Sequence, residues 1–318
     1  MRTAFFQSLT QLAAQDKRIY LLVGDLGFGV ADDFRRRFPG RFLNVGVAEQ
    51  NMTGVAAGLA LSGKIVFTYS IANFPTLRCL EQIRNDICYH NANVKVVAVG
   101  GGLSYGPLGP SHHATEDLAM LRALPNMTVV APGDPLEAGQ ATSAITLHPG
   151  PCYLRLGRAG ESNVHQQLEF TLGKAVLIRR GNGVSLIATG GMLALANEAA
   201  ARLEAEGIRA GLWSMHTLKP LDTRAVLEAA STGLVVTLED HSAIGGLGSA
   251  VAELLCEAGY AGRFCRIALP DAFAPCAGSA AYLRRIYGLD VDSIVQRIRS
   301  EVVARARPGV AAEAVGQR

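Results

Sequence analysis

The stretch VGVAEQN, residues 45–51, decides the fold, because it takes the chain from a short apolar strand directly into a helix rich in glycine and alanine. The strand is predicted at residues 42–45 and the helix at residues 48–61. Glu49 is the only carboxylate in this junction, and desolvation there favours a protonated, hydrogen-bonding form of the acid. A glutamate in the first turn of a helix more often only complements the helix dipole. The junction alone leaves both roles open.

Strand and helix patterns alternate along the rest of the chain. This alternation predicts an α/β protein of two doubly wound domains, with mainly parallel sheets and helices on both faces. The predicted strands are residues 19–23, 42–45, 65–68, 94–99, 128–131 and 153–156 in the first series, and 184–188, 208–213, 234–238 and 264–268 in the second. The predicted units are residues 1–160, a linker at 161–175, residues 176–306 and a frayed tail at 307–318.

The composition is that of an ordinary globular protein, with 49% hydrophobic and 18% charged residues. The net charge of +3 comes without a block of lysine or arginine, so neither nucleic acid nor a membrane is indicated as a partner. The N-terminus reads as an amphipathic helix with Phe5, Phe6, Leu9 and Leu12 near one face, and not as a signal peptide. Six cysteines without a Cys-x-x-Cys pair indicate reduced thiols and a cytoplasmic location.

Five motifs follow one another in the first half of the chain, and a sixth lies in the second half. They are GVAEQN (46–51), TYSIANFPTLRCLEQIRND (68–86), GPLGPSHHATED (106–117), LPNMTVVAPGDPLEA (124–138), YLRLGR (153–158) and EDHSAIGGLGSAVAE (239–253). The first five resemble the pyrimidine-binding domain of transketolases and 1-deoxyxylulose-5-phosphate synthases, and the sixth is similar to their C-terminal domain. The chain is identified as a member of this family, as the C-terminal subunit of a split transketolase.

The resemblance implies thiamine diphosphate as cofactor, with Mg²⁺ on its phosphates. Members of the family bind this metal through a Gly-Asp-Gly motif followed by an asparagine, and the sequence has no such motif. VGDLG, residues 23–27, lacks the second glycine. The resemblance therefore implies a separate N-terminal subunit that carries the diphosphate-binding domain and the metal ligands, in an assembly with two copies of each chain (α₂β₂). The active site is then expected between chains.

The resemblance also implies roles for single residues. Glu49 is expected to hydrogen-bond the N1′ nitrogen of the aminopyrimidine and to act as a catalytic proton-transfer group. Phe74 is expected to lie against the aminopyrimidine, with Tyr69 as the alternative ring and an ordinary core position still open for Phe74. His112 matches the histidine of the family's GPTH motif, which implies catalytic contact with the substrate. Metal ligation by His112 and His113 is the competing interpretation.

Other positions bear on the substrate. His113 stands where many relatives carry glutamine, Arg155 resembles a phosphate-binding arginine, and Arg2 matches another near the start of the domain. Leu108 replaces an acid that reads a sugar hydroxyl in ordinary transketolases, and GGG at 100–102 replaces the region of a phosphate-contacting histidine. An arginine fork binds phosphate, sulfonate or carboxylate alike. We therefore expect a sugar or sugar-phosphate substrate outside the standard pentose phosphates.

Three acidic positions have structural interpretations. Glu116 and Asp117 are expected to complement the dipole of the following helix. Glu239, before the glycine-rich segment 244–248, is interpreted as part of a polar strand end, and the segment itself as close packing in preference to an anion site.

The function implied by the resemblance is transfer of a two-carbon glycolaldehyde unit from a ketose to an aldehyde. The alternatives are the β subunit of a 2-oxoacid dehydrogenase and a non-catalytic scaffold subunit.

Overall fold

The structure is a computed structural model that describes residues 1–306. The tail predicted to be frayed, residues 307–318, lies outside the described residues. The described part forms two β-sheets with helices on both faces of each, which confirms the predicted α/β class.

The strands are β1 (Ile19–Val23), β2 (Phe42–Asn44), β3 (Ile65–Ile71), β4 (Val94–Val99), β5 (Thr128–Val130), β6 (Cys152–Leu156), β7 (Val176–Arg179), β8 (Val184–Ala188), β9 (Ala210–Ser214), β10 (Thr217–Lys219), β11 (Leu234–Ser242) and β12 (Arg263–Leu269).

The α-helices are α1 (Arg2–Gln15), α2 (Asp32–Arg37), α3 (Glu49–Leu61), α4 (Leu80–Gln82), α5 (Asp117–Ala123), α6 (Pro135–Leu147), α7 (Met192–Ala205), α8 (Thr223–Ala230), α9 (Leu247–Glu257), α10 (Ala280–Ile286) and α11 (Val291–Ala306). The 3₁₀ turns are Pro39–Arg41, Leu77–Cys79, Gly106–Leu108 and Pro110–His112, and a π-helix spans Ile83–Cys88. Within residues 1–306, no helix combines the length and the apolar character that crossing a bilayer requires.

The first sheet has the strand order β10-β5-β6-β4-β3-β1-β2, and all its pairings except that of β10 with β5 are parallel. Helices α1 and α6 pack on one face, where Phe5 and Ile145 are fully buried. Helices α3 and α5 pack on the other face, where Met52 and Leu118 are fully buried. Because the strands are parallel, the carboxyl ends of β1, β3, β4 and β6 meet at one edge, where ligands bind in open α/β sheets.

The second sheet has the order β12-β11-β8-β9-β7, with only the edge strand β7 antiparallel. Helices α7 and α11 cover one face around Leu193 and Ile294. The other face, with α8 and α9, buries Trp213 and Val251 in the same cluster as the α3 face of the first sheet. The two sheets therefore share one continuous apolar core.

Several elements differ from the sequence prediction. Strand β3 continues to Ile71 and β11 to Ser242, because ladder pairing extends past the apolar run into polar residues. Strands β7 and β10 were not predicted, since three or four residues give too little periodicity to recognise. Strand β10 lies beyond the predicted linker and yet pairs with β5 of the first sheet.

Candidate active site

Glu49 is the first residue of α3, and its side chain is 1% exposed. Its Oε1 accepts a hydrogen bond from the Ser70 hydroxyl at 2.9 Å, and its Oε2 accepts one from Arg78 Nη1 at 2.7 Å. Ser70 lies near the end of β3, and Arg78 lies in the 3₁₀ turn that follows. The site therefore contains a buried carboxylate whose charge is balanced by an arginine that is itself 42% exposed.

Two glycines give the backbone the shape that this carboxylate needs. Gly46 has a φ of +71°, so the chain can turn sharply between β2 and α3. Gly24 follows β1, and a Cβ there would lie 3.0 Å from Glu49 Oε1 and 3.1 Å from Ser70 Oγ. The carboxyl ends of β1, β2 and β3 together surround the Glu49 side chain.

Phe74 lies beside this ion pair, in the loop after β3. The Arg78 guanidinium carbon lies 4.5 Å from the centroid of the Phe74 ring. The His112 imidazole meets the same ring edge-to-face, with centroids 5.3 Å apart and an interplanar angle of 68°. The structure thus brings three predicted residues, Glu49, Phe74 and His112, into one cluster around Arg78.

The adjacent histidines differ in their surroundings. His112 is half-buried, and its Nδ1 lies 3.0 Å from the Ser111 hydroxyl. His113 is 4% exposed, its Nε2 lies 3.3 Å from the Gly106 carbonyl, and its own carbonyl accepts a hydrogen bond from Asn73. His112 therefore remains accessible to a ligand, whereas His113 holds the loop together.

Tyr69 and Arg2 lie on the other face of the first sheet. Successive side chains of a strand alternate between faces, so Tyr69 points away from Ser70 and packs against Phe5 and Phe6 of α1. Burial raises the pKa of the Tyr69 phenol, and the nearby charge of Arg2 partly opposes this rise. Of the two alternative rings, only Phe74 contacts the Glu49–Arg78 pair.

Arg155, on β6, is 4% exposed and is bound by groups of the protein itself. Its Nε donates to Asp117 Oδ2 at 2.8 Å, and its Nη2 donates to the Asp240 carbonyl at 2.9 Å. Burial on its own would lower the pKa of Arg155, but the charge of Asp117 raises it above the usual value. Asp117 is therefore an ion-pair partner and not only a helix-dipole residue, which corrects the expectation for it; the preceding Glu116 makes no side-chain cap.

The three glycines at 100–102 are explained by close packing. A Cβ on Gly100 would overlap the Tyr105 ring, one on Gly101 would lie 2.6 Å from Arg155 Nε, and one on Gly102 would overlap the Asp240 carboxyl group. A larger residue has no room at these positions. Leu108, in the turn Gly106–Leu108, is 53% exposed.

An open cavity of about 330 Å³ lies beside Arg155, where the end of β6 meets the start of α7. Arg158 and Arg284 line it together with Asp240 and Glu161. Arg158 is exposed, and its guanidinium carbon lies 5.1 Å from the centroid of the Tyr105 ring. Arg158 ends the YLRLGR motif, but no feature of the motif itself distinguishes its role from that of Arg155.

The glycine-rich segment at 244–248 has a structural role, as predicted. Glu239 Oε2 accepts from the Leu247 backbone N–H at 2.7 Å, and Oε1 accepts from that of Gly248 at 2.8 Å. A carboxylate of the chain therefore already occupies the N-terminus of α9. Burial raises the pKa of Glu239, while His241 and these two N–H groups oppose the rise.

Sequence reasoning missed Ser70 and Arg78, the two partners of Glu49. Both lie within the 68–86 motif, but no periodicity places a residue 29 positions after Glu49 beside it. Within residues 1–306, no group of three or more His, Cys, Asp or Glu side chains is arranged to hold a metal ion.

Comparison with known protein families gives two matches. The family described as "Transketolase, pyrimidine binding domain" matches residues 1–160, and that described as "Transketolase, C-terminal domain" matches residues 173–294.

Individual relatives match almost end to end. The chain is 40% identical to a putative transketolase C-terminal section of Methanocaldococcus jannaschii, over 95% of this chain and 96% of that protein. It is 38% identical to an apulose-4-phosphate transketolase subunit of Phocaeicola vulgatus, over 92% of this chain and 94% of the relative. It is 41% identical to a 6-deoxy-6-sulfo-D-fructose transketolase subunit of a Clostridium species, over 96% and 95%.

Among solved structures, the chain resembles one described as a split gene transketolase in an inactive beta4 tetramer. The TM-score is 0.88, the identity is 40%, and the match covers 96% of this chain and 98% of that one.

Proposed function

This chain belongs to the transketolase family, and from that premise we propose that it carries the pyrimidine half of a split transketolase. The proposed reaction is transfer of a two-carbon glycolaldehyde unit from a ketose to an aldehyde acceptor. Relatives of nearly equal length that are named as transketolase subunits or sections support this proposal. The match to transketolase subunits leaves the 2-oxoacid dehydrogenase alternative with less support.

The observation that carries the proposal is the buried Glu49 carboxylate and the Phe74 ring on either side of one group, the Arg78 guanidinium, which contacts both. An aminopyrimidine needs a carboxylate for a ring nitrogen and a flat apolar surface for its face. Glu49, 1% exposed, supplies the first, and Phe74 supplies the second. The residues of the chain therefore fit this half of thiamine diphosphate.

Thiamine diphosphate, when bound, supplies the carbon nucleophile and the electron sink for breaking the ketose carbon–carbon bond. Glu49 has the task of holding and releasing a proton at Oε2, the oxygen that now faces Arg78. Ser70 fixes the carboxylate by donating to Oε1. Oε1 is therefore held in one orientation by Ser70, and Oε2 is the oxygen available for proton transfer.

His112 is proposed to contact the substrate. Its imidazole is half-buried, touches Phe74 and has the Ser111 hydroxyl 3.0 Å from its Nδ1. A neutral imidazole can donate to a carbonyl oxygen or move a proton near neutral pH. His113 is proposed to position this loop through the Gly106 carbonyl.

An anionic group on the substrate is proposed to bind near the arginines at the end of β6. Arg158 is exposed beside the cavity and suits this role better than Arg155, whose fork is already occupied by Asp117. Arg2 and Leu108 stay proposed substrate contacts. The names of two relatives include a sugar phosphate and a sulfonated sugar, which agrees with an anion site of this kind.

The diphosphate and Mg²⁺ are proposed to be held by a separate subunit that bears the diphosphate-binding domain, in an α₂β₂ assembly. The absence of a Gly-Asp-Gly motif from the sequence and the names of the relatives support a partner chain. The chain spans about half of a 1-deoxyxylulose-5-phosphate synthase such as that of Heliobacterium modesticaldum, covering 46% of its length. A cytoplasmic location stays a prediction from the cysteine pattern.

The test is two-carbon transfer from a panel of ketoses to a panel of aldehydes, with thiamine diphosphate and Mg²⁺. The chain is assayed alone and mixed with the diphosphate-domain protein encoded beside it. We expect transfer only in the mixture. Transfer by the chain alone would overturn the shared site, and decarboxylation of 2-oxoacids without aldose acceptance would favour the alternative enzyme. If the mixture that contains the Glu49→Ala variant transfers two-carbon units as fast as the parent mixture, only the scaffold role is left for this chain.

A further inference from the structure

Arg78 makes two contacts at once in the candidate site. Its Nη1 donates to Glu49 Oε2 at 2.7 Å, and its guanidinium carbon lies 4.5 Å from the centroid of the Phe74 ring. The Arg78 guanidinium thus donates an N–H to the Glu49 carboxylate and lays its flat, delocalised system over the Phe74 ring.

These are the same two contacts that the proposed function assigns to the aminopyrimidine. A pyrimidine protonated at a ring nitrogen is also flat and also presents an N–H to a carboxylate. Both groups cannot occupy the Phe74 face and Glu49 Oε2 together. The arginine is therefore in competition with the cofactor for this part of the site.

We infer that, when no cofactor is bound, the Arg78 guanidinium occupies the position of the aminopyrimidine ring. When the ring binds, the Arg78 side chain moves out of this position. This inference rests on the proposed function. Arg78 then acts as a positioning residue that keeps the Glu49 carboxylate paired and oriented until the site is filled.

The surroundings of Arg78 allow this exchange. The side chain is 42% exposed and so has solvent to move into, whereas Glu49 is 1% exposed. The Arg78 backbone is held in place, because Gln50 Nε2 donates to its carbonyl oxygen at 3.0 Å. Movement is thus confined to the side chain, while the turn and Phe74 stay where the ring needs them.

A buried carboxylate without a partner is costly, and this gives the exchange a physical reason. Removing one member of a buried pair leaves an uncompensated charge. Arg78 pairs with the Glu49 carboxylate before the cofactor binds, and the pyrimidine ring nitrogen pairs with it afterwards. The measured affinity for the cofactor is then the intrinsic affinity reduced by the free energy of the Arg78–Glu49 pair.

The experiment is calorimetric titration of the assembled complex with thiamine diphosphate at saturating Mg²⁺. The variants are Arg78→Ala and Arg78→Lys. Arg84→Ala is the matched control, because Arg84 is exposed on the neighbouring π-helix and its guanidinium donates to the side chain of the adjacent Asn85. We expect Arg78→Ala to bind about fivefold more tightly, the factor that corresponds to a partly exposed ion pair of about 1 kcal/mol. Arg78→Lys should lie between Arg78→Ala and the parent, because lysine has no flat face.

A second comparison separates displacement from a general change in the site. In a Glu49→Gln background, Arg78→Ala should no longer tighten binding, because the pair is already broken. Equal or weaker binding by Arg78→Ala in the Glu49 background overturns the inference. If no variant and no parent complex binds the cofactor, the proposed function fails and takes this inference with it. Binding by Arg78→Ala where the parent shows none supports it.

Discussion

Glu49 is buried, but two donors of different kinds reach its carboxylate. Ser70 is a neutral donor from a rigid strand, and Arg78 is a charged donor from a turn with solvent beside it. The donor on the strand orients the carboxylate, and the partly exposed donor on the turn supplies a positive charge beside it. The reactivity of this carboxylate therefore depends on neighbours that the sequence motif around Glu49 does not contain.

The first prediction concerns Ser70. Ser70→Ala should lower the rate constant for two-carbon transfer about tenfold or more, because a hydrogen bond to a charged group contributes roughly 1.5–3 kcal/mol. The measurement is kcat of the assembled enzyme at saturating cofactor. Thr68→Ala is the control, since Thr68 is buried on the same face of β3 and has no hydrogen bond to Glu49. Equal kcat values for the two variants would show that the hydrogen bond from Ser70 to Glu49 does not contribute to the rate of two-carbon transfer.

At the scale of secondary structure elements, helix ends are held by specific carboxylates. Asp134 caps α6 by accepting from the Glu137 N–H at 2.8 Å, and Asp222 caps α8 by accepting from the Ala225 N–H at 3.2 Å. The N-terminus of α9 is different, because its carboxylate comes from strand β11. Glu239 therefore fixes the end of a strand and the start of a helix together.

The second prediction follows from this cap. Glu239→Ala should lower the free energy of unfolding by about 1–3 kcal/mol, because two helix N–H groups lose their acceptor. Glu257→Ala, at the exposed end of the same helix, should change it by less than about 0.5 kcal/mol. Urea unfolding followed by circular dichroism measures both. A loss of stability that is the same for both variants would contradict the capping role.

The sequence predicts long, apolar elements well. It predicts short strands less well, because pairing with a neighbouring strand determines their structure. The patterns located β1, β4, β8 and α3 to within one residue. Strands β7 and β10 are not predicted from the sequence, because the structure of edge strands of three or four residues depends on the strand with which they pair. Within the site, Glu49, Phe74 and His112 lie in one cluster, and the roles that the resemblance implies for them stay predictions. Contacts such as Arg78–Glu49 depend on tertiary structure, and no local pattern reveals them.

At the scale of the whole molecule, the two sheets are joined by buried polar groups as well as by the shared core. Asp134, which caps α6, and Glu137, in the first turn of α6, lie 2.8 Å and 3.4 Å from the two ring nitrogens of His165, in the segment between β6 and β7. Glu137 also accepts from Ser214 at the end of β9, at 2.5 Å. The two units that we propose, residues 1–160 and 176–306 with a linker at 161–175, therefore pack against one another through these groups.

The third prediction concerns pH and this junction. Burial raises the pKa of Glu137 from an ordinary 4.5 to about 7, although Ser214, the Gly133 N–H and His165 oppose the rise. Because the folded pKa is the higher one, the proton on Glu137 stabilises the fold fully below pH 4.5, and this contribution is lost as pH rises through 7. The parent chain should therefore lose stability between about pH 5 and pH 8 relative to Glu137→Gln.

The size of this change is on the order of 3 kcal/mol. It is measured as the difference in free energy of urea unfolding between the parent and Glu137→Gln across the pH range. Taking the difference cancels most of the contribution of titrating groups that do not contact Glu137, such as His216, whose pKa burial lowers to about 4. The difference includes the response of His165, because the Glu137 charge contributes to raising the pKa of His165. A difference that does not vary with pH would show that Glu137 keeps one charge state throughout.

The most direct test of the central claim is exchange of the C2 proton of thiamine diphosphate with deuterated water, followed by NMR in the assembled complex. Glu49 of this chain is proposed to transfer the proton at the aminopyrimidine. Glu49→Gln should therefore slow exchange roughly 10²- to 10⁴-fold, while the exposed control Glu81→Gln exchanges like the parent. Exchange at the parent rate in Glu49→Gln, with the cofactor still bound, would contradict the account.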